Sequence, residues 1–357
     1  MAALEILCLV GSPTNDALRE LSELYARGCI EALADPQHYA FTLAHVSPGP
    51  VWRLPESLDP AAIAAVSPLT LAAALTALAP RHFDIGLPQM FCLTGMTDYR
   101  SLLALMGLPS LGNRPAQMAL TANKWRARAL VAAAGVAVPN GELLLRGAQP
   151  RLAPPAVVKP NAADNSDGVS LVLTREAFPA ALEAAFAHGP AVIVEDYIEL
   201  GREVRCGVLE RNGARHCLPL EEYFVDTAER PIRQRSDKLK RDAHGMLSLA
   251  AKAPRESWIV DDDDPIVATV HAAARRCHVA LGCRQYSLFD FRVDRAGRVW
   301  FLEAGLYCSF SPQSVITTMA AAAGIGLRQL FDSVVAEAID QDRLSGRMGR
   351  SETWPAL

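Results

Sequence analysis

The chain has 357 residues, 50% of them hydrophobic and 21% charged, with a formal net charge of −4 at pH 7. That composition excludes a disordered or fibrous chain, and the length suits roughly two or three packed units with clefts between them. The slightly acidic balance lacks the basic stripe of a nucleic-acid-binding protein.

The most apolar long stretch, residues 61–79, is interrupted by Ser67 and Pro68 and falls short of the roughly 20 apolar residues of a membrane span. Eight cysteines are scattered without the close pairing of a zinc site or a disulfide framework. With no basic segment before the first apolar run, the cytoplasm is the expected compartment.

Residues 4–10, LEILCLV, form a compact apolar run ending in Gly11-Ser12-Pro13, the pattern of a buried strand opening into a loop. Asn15 or Asp16 then caps a helix whose Leu18, Leu21, Leu24 and Tyr25 recur on one face. Two short helices are expected within 61–79, one of them over 71–78. Residues 82–87 read as a strand, and 98–106 as a helix ended by Gly107 and Pro109. Strands alternating with helices imply a mostly parallel sheet and an α/β class.

From Thr121, TANKWRARALVAAAGVAVP predicts one capped helix through Ala134, stopped at Gly135, then an extended piece ending at Pro139. Residues 141–155 read as a linker in which ELLL can form an edge strand. Short buried strands at 156–159 and 191–195, separated by a glycine-containing loop and a helix over 175–187, make a small α+β unit. The last third offers strands at 203–209, 286–293 and 298–303, the last two joined by the turn Asp294-Arg295-Ala296-Gly297. A helix runs from Pro265 to Leu281. The polar stretch 226–264 carries a basic run at 233–241 and four aspartates at 261–264, and residues 345–357 read as a frayed tail.

Three pieces combine into a chemical constellation. Lys159 ends a strand in Val157-Val158-Lys159-Pro160 and can place an ammonium beside nucleotide phosphates. Lys124 offers a second ammonium, or stands as an ordinary solvated helix lysine. The loop from Asn161 to Ser170 can present backbone N–H groups and the Ser166 hydroxyl to phosphate, or form a plain turn. In it, Asp164 and Asp167 oppose phosphate unless they point outward. After the strand at 191–195, the peptide groups of Asp196 and Ile198 can pair with an adenine edge while Tyr197 covers its face; an ordinary strand exit is the alternative. Arg205 shares a strand face with Glu203, and either points into the cleft or pairs with Glu203 or another carboxylate. Asp290 and Glu303, on adjacent strands of one hairpin, repel unless a cation or proton intervenes. Mg²⁺, which takes carboxylate, phosphate and water oxygens, is the economical solution.

In chain order, ANKWRARALVAAAGVAVP, VVKP, GVS, VEDYIELGREV, DFRVDRAGRVWFLEAG and AAAAGIGLRQL resemble the successive landmarks of the D-alanine:D-alanine ligase family of the ATP-grasp superfamily. The resemblance implies an N-terminal parallel-sheet pre-ATP-grasp domain (1–118), a small lobe (119–199), a large lobe (200–345) and a flexible tail (346–357), with ATP held between the lobes. It implies ATP contacts from Lys124, Lys159, Ser166, Glu195, Asp196, Tyr197, Ile198 and Leu302, with Glu203 on the ribose. Lys238 adds a phosphate contact from a segment closing over the nucleotide, and Mg²⁺, replaceable by Mn²⁺, rests on Asp290 and Glu303. Arg205, Arg292 and Ser314 are the residues expected to act on the substrates.

Departures from the family are equally informative. Gly305 stands where the family has a metal-binding Asn, and Leu288 where it has an arginine that steadies the tetrahedral intermediate. Arg292, on the same strand face, is a substitute for that arginine or a surface residue. Residues 11–16, residues 91–98 and Tyr307-Cys308-Ser309 depart from the segments that build the substrate sites, while Ser314 matches a family serine near the second substrate. The expectation is an ATP- and Mg²⁺-dependent carboxylate–amine ligase acting through an acylphosphate on an amino acid or small acid other than D-alanine. Its partners are small molecules rather than nucleic acid or membrane, with a homodimer left open. An ATP-grasp small-molecule kinase and a non-catalytic nucleotide-binding regulator are the alternatives.

Overall fold

The computed structural model of the chain describes residues 3–163, 166–199, 201–226, 232, 239–241, 247–249 and 256–348. Of the tail expected from residue 345 or 346 onward, the part up to Met348 continues the helix Leu327–Met348, while residues 349–357 and most of the basic run at 233–241, Lys238 included, lie outside the described residues.

Leu4–Gly11 is an inner strand of a four-stranded sheet, paired in parallel with Tyr39–Ser47 on one side and Ile85–Pro88 on the other. Flanked on both edges, it buries Ile6 through Val10 almost completely, which is why the run lacks alternation. Asp16–Leu33 follows, its first turn capped by Asn15 Oδ1 accepting the Leu18 N–H at 2.9 Å. Tyr39–Ser47 escaped sequence reasoning because His45 and Thr42 interrupt its apolar character. His45 is fully buried, and its Nε2 lies 2.7 Å from Glu23 Oε1. The strand expected at 82–87 starts only at Ile85, since the Asp84 carboxylate accepts the Glu5 N–H at 2.8 Å.

The expected helix over 121–134 is two helices, Pro115–Ala122 and Lys124–Ala133. Asn123 ends the first, and its side chain accepts the Arg126 N–H of the second at 3.0 Å, so Lys124 becomes an opening helix residue. A second sheet, the small lobe, orders Gly141–Leu145, Ala191–Asp196, Ala156–Pro160 and Ser170–Val172, all antiparallel. ELLL is its edge strand, as the sequence suggested. Phe178, Leu182 and Phe186 of the helix Phe178–Phe186 pack on Val158, Val172, Val192 and Val194 of this sheet. The lobe's two connections lie at one end, where Asn140 O accepts the Asp196 N–H at 2.8 Å.

The third sheet runs Ser257–Ile259, Glu221–Tyr223, Arg202–Arg211, Tyr286–Val293, Val299–Gly305, with Ala214–Cys217 beside Arg202–Arg211. Val204, Cys206, Val208, Phe289, Phe291 and Phe301 share a core with the helix Ile266–Ala280. Side chains alternate along a strand, so Glu203, Arg205, Asp290 and Arg292 are left on the opposite face. The first sheet and this large lobe share one core, in which Leu87 and Tyr39 meet Leu209, Tyr286, Phe310 and Phe331. Polar bonds seal that junction. Asn113 Nδ2 donates to Tyr286 O at 2.7 Å, Gln285 Oε1 accepts the Gly112 N–H at 2.5 Å, and Arg284 Nε donates to Gly112 O at 2.7 Å. Among the described residues no helix is long and apolar enough to cross a membrane, and all eight cysteines are free.

Candidate active site

A cleft of about 810 Å³, solvent at its mouth included, lies between the small lobe and the charged face of the large lobe. From the small-lobe side Lys159, Ser166, Glu195, Asp196 and Ile198 line it; from the other side come Lys124, Glu203, Asp290, Arg292, Leu302 and Glu303. Its size is ordinary for a small-molecule site.

Strand register arranges the charges in rows. Glu203 is the cross-strand partner of Arg292 and of Tyr223; Arg205 is the partner of Asp290 and of Glu221; Asp290 in turn faces Glu303. The facing carboxylates foreseen from the hairpin are therefore real neighbours, each held by a cation. Arg205 grips Asp290 with Nε at 2.6 Å and Nη2 at 2.8 Å, while Lys124 Nζ lies 3.2 Å from Glu303. Arg205 thus pairs with Asp290 rather than with Glu203, whose partner is Arg292 Nη2 at 2.8 Å. Burial works against the Arg205 charge, but Asp290, Tyr223 and Glu303 carry its guanidinium well above its ordinary value.

Lys124 is no solvated helix lysine. Its side chain is 11% exposed, and Nζ also donates to Ala163 O at 2.6 Å. The loop after Lys159 is fastened to the start of that helix: Asn161 O accepts the Lys124 N–H at 3.0 Å and Asn161 Oδ1 the Trp125 N–H at 2.9 Å. Across the cleft, Lys159 Nζ lies 2.5 Å from Glu195, with both side chains buried. At the strand exit, the Asp196 N–H is spent on Asn140 O and Ile198 O accepts Arg292 Nη1 at 3.2 Å. Tyr197 does not line the cleft; its ring lies 5.4 Å from the Arg292 guanidinium carbon. Arg292 is thereby tied to the Glu203–Tyr197–Ile198 side of the cleft.

Ser314 stands apart from this cluster as the cap of the helix Val315–Ala322, its Oγ 2.8 Å from Thr317 Oγ1. Asp164 of the loop is outside the described residues. Three contributors were missed. Arg128, one turn beyond Lys124, reaches Glu195 with Nη1 at 3.5 Å. Tyr223 places its ring 5.3 Å from the Arg205 guanidinium carbon and donates its hydroxyl to buried Glu221. No local pattern in LPLEEYF announces either residue, since their meaning depends on which strand lies alongside.

Asp290 and Glu303 suit a Mg²⁺ whose shell is completed by phosphate and water. Two opposed carboxylates line the cleft, and among the described residues no group of three or more acids, histidines or cysteines forms an all-protein cage. Beyond them, along the strand Val299–Gly305, Gly305 has an ordinary backbone, and a Cβ there would meet nothing within 4 Å. Two residues on, Tyr307 joins a cluster of rings in which Tyr25 meets Phe91 at a steep angle and Phe91 tilts against Tyr307, with ring centroids 5.3 and 5.4 Å apart. Burial raises the Tyr25 hydroxyl, and Arg205 partly offsets that rise.

Residues 140–336 match the family model described as D-ala D-ala ligase C-terminus. A D-alanine–D-alanine ligase of Geotalea uraniireducens is 31% identical over 248 residues, covering 67% of this chain and 73% of that protein. Among solved structures, the VanG D-Ala:D-Ser ligase of Enterococcus faecalis shares the fold with a TM-score of 0.76 at 21% identity, over 94% of this chain and 99% of that one. A D-alanine–D-alanine ligase of Bacillus anthracis complexed with ATP gives 0.69 at 19% identity, over 96% and 99%.

Proposed function

The chain belongs to the D-alanine–D-alanine ligase family of ATP-dependent, carbon–nitrogen bond-forming enzymes, and from that premise we propose that it joins an amine to an amino acid or small acid other than D-alanine. ATP phosphorylates the acid's carboxylate, the amine attacks the resulting acylphosphate, and amide, ADP and phosphate leave. The observation that carries the reading is the charged row Arg205–Asp290–Glu303, ended by Lys124 and facing Lys159 across one cleft.

Lys124 and Lys159 neutralise phosphate oxygens, each charge-assisted contact contributing about 1.5–3 kcal/mol. Both are held in place by acceptors, Glu303 and Ala163 O for Lys124 and buried Glu195 for Lys159, so little side-chain freedom is lost on binding. The Asp196 carbonyl and the Ile198 N–H meet the adenine edge, Leu302 packs beneath the base, and Glu203 accepts the ribose hydroxyls. The Ser166 hydroxyl covers the phosphates. A divalent cation on Asp290 and Glu303, Mg²⁺ or Mn²⁺, supplies neutralisation of the charge moving between phosphate oxygens when bound. Ser314 contacts the amine substrate. The work is positioning and electrostatics, with no covalent enzyme intermediate.

Two features support an acid other than D-alanine. The space over Gly305 is open, and Tyr307, two residues on, belongs to an aromatic cluster with Phe91 and Tyr25. The test is a screen of acid and amine pairs with ATP, read by ADP release and by mass spectrometry of the product. Hydroxylamine in place of the amine traps the acylphosphate as a hydroxamate. Preferred formation of D-alanyl-D-alanine overturns the substrate reading, and a stable phosphorylated product with no amide overturns the ligase chemistry.

A further inference from the structure

We propose that the acid joined by this enzyme carries a bulky apolar side chain, branched aliphatic or aromatic, and that Leu288 and Gly305 form its seat. The inference rests on the reading above and names the class of acid within it.

On the face of the large lobe that lines the cleft, side chains fall into rows across the strands. Glu203 and Arg292 form one row, and Arg205, Asp290 and Glu303 form the next. Two residues further along each strand, Leu288 is the cross-strand partner of Gly207 on one side and of Gly305 on the other. By alternation this third row shares the face of the two charged ones. It holds a single side chain, and that side chain is apolar. After it comes Leu209 opposite Tyr286, both buried in the core that joins the large lobe to the N-terminal sheet. The third row is thus the border where the charged cleft gives way to that core. The two departures read from the sequence, Leu288 and Gly305, are direct neighbours and change the same spot.

A residue on an inner strand is ordinarily walled by side chains of both flanking strands. Leu288 has a glycine on either flank and is left half-buried, resting in part on the junction core. The two flanks differ. A Cβ at Gly207 would come within 3.0 Å of Leu218 Cδ1, so that side is already filled, whereas a Cβ at Gly305 would meet no described atom within 4 Å. The open side of Leu288 is therefore the one over Gly305. It lies two residues, about 7 Å along the strand, from the row of Asp290 and Glu303. In the reading above, the carboxyl being phosphorylated meets the cation held by that row. A leucine- or phenylalanine-sized substituent spans the interval, and a methyl group does not. The seat offers no counter-charge, because none of its three residues ionises. Tyr307, two residues past Gly305, packs with Phe91 and Tyr25. A polar substituent would lose water there without gaining partners, whereas an apolar one is favoured by covering Leu288.

The test reads the acid alone, with hydroxylamine in place of the amine and the hydroxamate as product. The acids are alanine, valine, leucine, phenylalanine, serine, glutamate and lysine in both configurations. The highest kcat/KM should fall on valine, leucine or phenylalanine. Gly305→Ala and Gly305→Val add one and three carbons on the open side, at a strand position suited to both. The leucine-to-alanine ratio of kcat/KM should drop stepwise in these variants, by about 10- to 200-fold with valine, the span expected for misfit in an apolar pocket. General damage to the enzyme lowers both rates and leaves that ratio in place. Leu288→Ala deepens the seat and should raise the phenylalanine-to-leucine ratio. An unchanged leucine-to-alanine ratio in folded Gly305→Val overturns the seat. A preference for serine, glutamate or lysine overturns it too, while leaving the ligase reading intact. A preference for D-alanine removes that reading's substrate along with the seat. If no acid yields a hydroxamate while a non-hydrolysable ATP analogue still binds, both the seat and the ligase chemistry fall.

Discussion

Replacing Lys159 with methionine keeps the side chain's reach and deletes its ammonium, which lies 2.5 Å from a Glu195 oxygen. On the nucleotide side, loss of one charge-assisted phosphate contact of about 1.5–3 kcal/mol raises the Kd of a non-hydrolysable ATP analogue about 10- to 140-fold. On the folding side, Glu195 is left 4% exposed without its nearest cation. Stranding one member of a buried pair costs about 3–5 kcal/mol, and Arg128 Nη1, 3.5 Å from the other Glu195 oxygen, places this case at the lower end. Adding Glu195→Gln removes the stranded charge without restoring the phosphate contact. Thermal unfolding should therefore recover in the double variant while calorimetric titration with the analogue stays weak. A folded Lys159→Met protein with wild-type Kd refutes the reasoning, and so does a double variant whose affinity returns along with its stability.

Two further outcomes follow from the geometry. Gly305→Asn places an amide oxygen beside Glu303 in open space with no backbone strain, and should lower the Mg²⁺ concentration for half-maximal turnover about tenfold, the low end for changes around a metal's ligands; a Mg²⁺ titration of ADP release at saturating ATP that superimposes on wild type rejects it. Burial pushes the Glu23 carboxyl up, but hydrogen bonds from His45 and Arg19, each at 2.7 Å, outweigh it and hold the group below the usual 4.5. A depressed folded-state value means stability that is complete above about pH 4.5 and drains away as pH falls through the folded-state value. Calorimetric melts should thus show Glu23→Gln less stable than wild type at neutral pH and converging with it in acid, and parallel profiles would contradict the linkage.

Much of the fold was legible because its signals are local. Tyr286–Val293 could be read from end to end, since its aromatic and branched residues run straight into the turn Asp294–Gly297. The edge position of Gly141–Leu145 followed from a short apolar run hemmed in by prolines and arginines. Asn123 was harder, because the same residue type suits a helix interior poorly and a cap well, and only the loop at Asn161 decides between them. The candidate site was legible as a set of residues but not as a set of pairs. Period-two alternation puts Glu203 and Arg205 on one face, yet Arg205 and Asp290 are 85 residues apart. Which acid each arginine meets is decided by strand order. Glu221 and Tyr223 were invisible for the same reason.

The bonds from Asn113, Arg284 and Gln285 weld the N-terminal sheet to the large lobe, whereas the small lobe is held at its Asn140 end by the Asp196 N–H and at the other end by Asn161, which accepts the Lys124 and Trp125 N–H groups. Its chain enters beside Asn140 and leaves at Gly201, packed so tightly on the hairpin that a Cβ would come within 2.3 Å of Val293 O. Tyr25, Phe91 and Tyr307 belong wholly to the welded part. The cleft takes its lining from both sides, so its shape depends on how the small lobe is seated against the hairpin and against the helix that begins at Lys124.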